Sequence, residues 1–121
     1  MLPNLLPADV KRQIVADVEA RSPWTPKLAT ARETLARIQA QLADVDAEIA
    51  AIDAAYANRT LQSDMGALAD GQMRRPLLRD QREQLRAAVA AAEREVESFQ
   101  AQMGAAIAAA VVAYRHRTER G

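Results

Sequence analysis

Apolar residues recur along this chain at alternating steps of three and four. Leu28, Ala31, Leu35, Ile38, Leu42, Val45, Ile49, Ile52 and Tyr56 fall in that order, the a and d positions of four successive heptads. The spacing predicts a long helix over 26–62, with Thr25 as its N-cap and Pro26 in its first turn. The next position in phase is Arg59, so the seam ends there. Downstream, Leu78, Leu85, Val89, Ala92, Val96, Phe99 and Met103 hold the same phase, with Arg82 as the charged intruder. They predict a second long helix over 76–117. From Phe99 the large residues step by four to Met103, Ile107 and Val111, a stutter that locally unwinds a left-handed supercoil. Ahead of both, Leu6, Val10, Ile14 and Val18 stand four apart and predict a short amphipathic helix over 7–21, with Pro7 at its first position. No run alternates with period two, so no strand is predicted.

Two stretches interrupt this pattern. Ser22-Pro23-Trp24-Thr25-Pro26 is a proline-flanked elbow, and Ser63 to Gly71 carries two glycines and leads to Pro76. Proline inside a helix costs about 3 kcal/mol, which argues against one continuous rod. The expected fold is therefore all-α: an antiparallel helical hairpin (coiled coil) with a short N-terminal helix, in a single domain over 1–121. A turn centred near Ala69 places Ile49 beside Val89, Ile52 beside Leu85, Leu42 near Val96, Ile38 near Phe99 and Leu28 near Val111.

Composition narrows the chemistry. The chain has 121 residues, with sixteen basic side chains against sixteen acidic ones. A zero net charge argues against the overall basic field of a dedicated nucleic-acid coat. There is no cysteine, which removes disulfides, thiolate nucleophiles and cysteine metal sites. Asp44 and Glu48 stand four apart, as do Glu93 and Glu97. Carboxylate metal sites in bundles add a Glu-x-x-His partner. Here the lone histidine, His116, precedes Glu119 in the reverse order, so the acids read as a solvated face and no metal is expected. No Gly-x-Ser-x-Gly elbow and no glycine-rich phosphate loop is present. The expectation is a non-enzymatic protein with no catalytic residue and no cofactor.

What remains is surface. Gly104 to Tyr114 is apolar on every side, and alanine supplies most of it. A helix of that kind is expected to be covered on several faces, which nominates Ala105, Ala106, Ala109, Ala110, Val112 and Ala113 as interface. Trp24, between two prolines, reads as a plug over the end of the core or as an interface anchor. Arg75, Arg79, Arg82 and Arg86 share one helix face, joined by Arg74 and Arg59, and form a candidate phosphate-binding stripe. The expected role is structural: assembly through helix–helix packing with protein partners, either copies of itself or a larger complex such as a virion or particle. The alternatives are a nucleic-acid-binding module using the arginine stripe and a peripheral membrane protein using the alanine tract. No run of about 18 uninterrupted apolar residues offers a spanning helix. The N-terminal residues lack the pattern of a secretory signal, so the expected location is the cytoplasm or an assembled particle.

Overall fold

The elbow at 22–26 and the glycine-bearing stretch ending at Pro76 look alike in the sequence but fold differently. In a computed structural model that describes residues 6–58 and 65–120, the chain forms three helices and, among those residues, no strand. They are α1 (Ala8–Arg21), α2 (Trp24–Asn58) and α3 (Met65–Arg120). α2 and α3 form an antiparallel helical hairpin, preceded by the short α1, as the heptad pattern predicts.

The elbow ends one helix and starts the next. Pro23 disfavours helical backbone at the residue before it, and Ser22 is accordingly extended, with φ −72 and ψ 137. The Ser22 N–H still donates to the Val18 carbonyl at 2.8 Å, closing α1. Its Oγ accepts the Trp24 N–H at 3.1 Å, so Ser22, not Thr25, provides the capping contact at the start of α2. Thr25 lies inside the first turn instead, and its hydroxyl donates back to the Glu19 carbonyl at 2.6 Å. Pro7 is the N-cap of α1 rather than its first residue, and its carbonyl accepts the Lys11 N–H at 3.0 Å.

The second stretch does not break the helix. α3 begins at Met65 rather than at Pro76, so Gly66, Gly71 and Pro76 all lie within it, and it ends at Arg120 rather than Arg117. Glycine costs about 1 kcal/mol and proline about 3 kcal/mol in a helix interior. Cross-helix contacts offset part of that cost. The α3 backbone at Gly71 lies against Ile52, Gln72 Nε2 donates to the Tyr56 hydroxyl, and Arg74 and Arg75 pair with Glu48 and Asp53 at 2.7 and 2.8 Å. Pro76 is exposed, as is Gln72, whose carbonyl receives no N–H from proline and is left to water.

Keeping those residues helical moves the hairpin register. Val45, Ile49 and Leu78 form the buried core cluster, with Ile52 and Leu85 packed against it. Ile49 therefore meets Leu78, not Val89, which lies about 16.5 Å further along α3 at 1.5 Å per residue. Phe99, expected near Ile38, has its ring centroid 5.9 Å from that of Trp24. Leu28, expected near Val111, lines a groove with Gln100 and Met103. Arg59, Ser63 and Asp64 lie outside the described residues.

The fold comprises two compact units. One joins the described parts of Met1–Arg32 and Arg94–Gly121, and the other is Glu33–Glu93. In the second, Val45, Ile49, Leu78 and Ala92 are buried while Leu35, Ile38, Leu42, Ile52, Leu85 and Val89 are half-buried. In the first, Ala31, Val96 and Met103 are buried and Val10, Ile14 and Val18 half-buried. No described side chain is completely buried, the outcome of one apolar stripe per helix in a small domain.

Candidate helix-docking surface

The unit formed by Met1–Arg32 and Arg94–Gly121 draws its surface from α1, the first turns of α2 and the C-terminal part of α3. Trp24 is half-buried in it. Its ring tilts 31° from that of Phe99, and the Lys27 ammonium sits 4.9 Å from its centroid. Tilted ring pairs contribute about 0.5–1.5 kcal/mol beyond their buried area. An exposed cation over a ring adds about 0.5–1 kcal/mol. Trp24 thus packs against Phe99 and Lys27 within its own unit and also lines an open groove.

The alanine tract splits between two environments. Ala106 and Ala110 are half-buried and line an open groove of about 450 Å³ together with Ile14, Val18 and Trp24. Met103, Gly104 and Ile107 line a second groove of about 440 Å³ with Leu28. Ala105, Ala108, Ala109, Val112 and Ala113 face solvent, and Val112 is 52% exposed. Of the residues nominated from the sequence, Trp24, Ala106 and Ala110 line the inner groove, and Ala105, Ala109, Val112 and Ala113 look outward.

The outward side also holds residues that the sequence analysis passed over. Arg94, Ser98, Ala101, Ala105, Ala108, Val112, Arg115 and Glu119 step alternately by four and three, a second heptad register on α3. All are exposed except Arg115, which is half-buried. The signal was present in the spacing. It escapes a search that follows large apolar residues, because only alanine, serine and one valine occupy its centre.

Averaged over 18 residues, one stretch of α3 within Ala69–Glu119 is long and apolar enough, by length and composition, to cross a membrane, and 11% of it is buried. The sequence has no uninterrupted apolar run of that length. The average reaches the mark because the alanines count as mildly apolar and charges are few there.

The arginine stripe lies in the other unit. Arg74 pairs with Glu48 at 2.7 Å, Arg75 with Asp53 at 2.8 Å and Arg82 with Asp46 at 3.9 Å, all between α3 and α2. Arg86 pairs with Glu83 on its own helix at 3.0 Å. Arg79 is exposed and has no such partner among the described residues. Three of the four candidate phosphate ligands, Arg75, Arg82 and Arg86, thus already face carboxylates. Two of those pairs link the hairpin helices. Among the described residues no group of three or more acidic or histidine side chains is arranged to hold a metal ion. No protein-family model matches the chain, and neither a curated protein nor a solved structure shows significant similarity to it.

Proposed function

We propose that the chain is a non-enzymatic helix-packing protein that docks onto another helix through the outward side of α3, within a larger complex. One observation carries this reading. Between Ala101 and Ala113 every exposed residue of α3 is alanine, glycine or valine. A helix side meant for water carries charge, as α3 itself does between Arg79 and Arg86. Small side chains suit close approach by a second helix, because they let the two backbones come near one another. The carboxylates and the lone histidine lend no support to catalysis, and the paired arginines lend little to nucleic-acid binding.

Photo-cross-linking tests the reading. A photoreactive amino acid at Ala108 in the native cell is expected to capture protein, and one at Arg79 is not. Ala105→Glu should abolish capture while the protein stays helical, since an unpaired charge buried in a contact costs several kcal/mol. Absence of capture from Ala108, or capture indifferent to Ala105→Glu, would overturn the reading.

A further inference from the structure

The charges that bound the outward side of α3 point to what covers it. Upstream of the small residues stands Arg94 and downstream stands Glu119, both exposed. Neither takes part in an ion pair among the described residues, whereas the arginines of the Glu33–Glu93 unit are largely paired. We infer that the partner is a second copy of this chain, laid antiparallel along the same side of α3 about a two-fold axis between Ala106 and Ile107. This rests on the docking reading above and names its partner.

Charge complementarity selects both the partner and the direction. With the axis at that point, Arg94 of one copy lies opposite Glu119 of the other. Between that pair and its two-fold repeat, Ala101 meets Val112 and Ala105 meets Ala108. Every contact occurs twice, as an isologous interface requires. A parallel pair would instead set Arg94 against Arg94 and Glu119 against Glu119, and like charges placed opposite one another repel. The alternating steps of four and three keep one side of a helix facing its neighbour over this length.

A lipid surface fits less well. Helices that lie on membranes bring large apolar side chains such as Trp, Phe and Leu to the buried side, and here Val112 is the only large apolar residue. The strip from Arg94 to Glu119 is about 38 Å long at 1.5 Å per residue. With a width near 10 Å it covers about 400 Å² per copy, half of what standard specific interfaces bury. The dimer is therefore expected to be weak and to need trapping.

Cysteine trapping on the full chain reads the geometry. Ala101→Cys and Val112→Cys proteins, purified separately and mixed under mild oxidation, should give a disulfide-linked species of twice the chain mass. Either variant alone should give about tenfold less. Arg94→Glu should cut the trapped fraction in the mixture about tenfold, and adding Glu119→Arg in the same chain should restore it. Stronger trapping of each variant with itself would overturn the antiparallel arrangement, and failure of the charge swap to rescue would overturn the register. Capture of a different protein from Ala108 with no trapping between copies would overturn this inference and leave the docking reading standing. No capture of any kind would end both. Flotation of the wild-type chain with phosphatidylcholine–phosphatidylglycerol vesicles, in place of trapping, would assign the surface to lipid and overturn the inference.

Discussion

A methyl group at Gly71 would sit 3.5 Å from Ile52 Cγ2, an ordinary van der Waals distance. Gly71→Ala should therefore stabilise the protein by about 0.5–1 kcal/mol, because alanine has less conformational freedom to lose on folding. A urea titration checks this, and a loss of stability would mean that the backbone at 71 is not helical. The adjacent pair Leu77 and Leu78 gives a sharper contrast, being 69% and 8% exposed. Leu78→Ala should cost about 2–5 kcal/mol, while Leu77→Ala should stay within about 0.5 kcal/mol. That difference was legible in the sequence, since Leu78 is in phase with the seam and Leu77 is not. Thr25 was misread at the same scale. Its place before Pro26 suits a cap, but Pro23 forces the break earlier and hands the role to Ser22.

For the helices, the periodicity revealed that α1, α2 and α3 exist and which side of each packs inward. It did not reveal how α2 and α3 align. Helix signals are local, and by local rules Gly66, Gly71 and Pro76 mark a turn. The alignment follows instead from contacts across the hairpin, such as Arg75 with Asp53, whose worth appears only once both helices are in place. Asp53→Cys with Arg75→Cys should therefore form an intramolecular cross-link with a short bifunctional reagent. Ile49→Cys with Val89→Cys should not, and the opposite result would restore a turn centred near Ala69. Each of these surface ion pairs contributes only about 0–1 kcal/mol. Their larger effect is on register, because sliding one helix past the other separates all of them together.

For the molecule as a whole, one apolar stripe per helix and abundant alanine make for a thin core. The sequence could not tell which small residues face outward, since alanine fits either side of a seam. A protein with no fully buried side chain among its described residues gains in stability from whatever binds its folded form. The melting temperature of the wild-type chain should accordingly rise as its concentration is raised about a hundredfold. That rise should vanish in Ala105→Glu, and differential scanning calorimetry of both proteins measures it. The ring contact at the elbow has a consequence for spectroscopy. Trp24 is the only tryptophan, and it lies against Phe99 in the unit formed by the chain's two ends. Emission excited at the red edge of the indole band consequently reports on that unit alone, while the Glu33–Glu93 hairpin is dark to it. Opening of the elbow can be timed by light in the unmodified protein, separately from the melting of helix measured by circular dichroism.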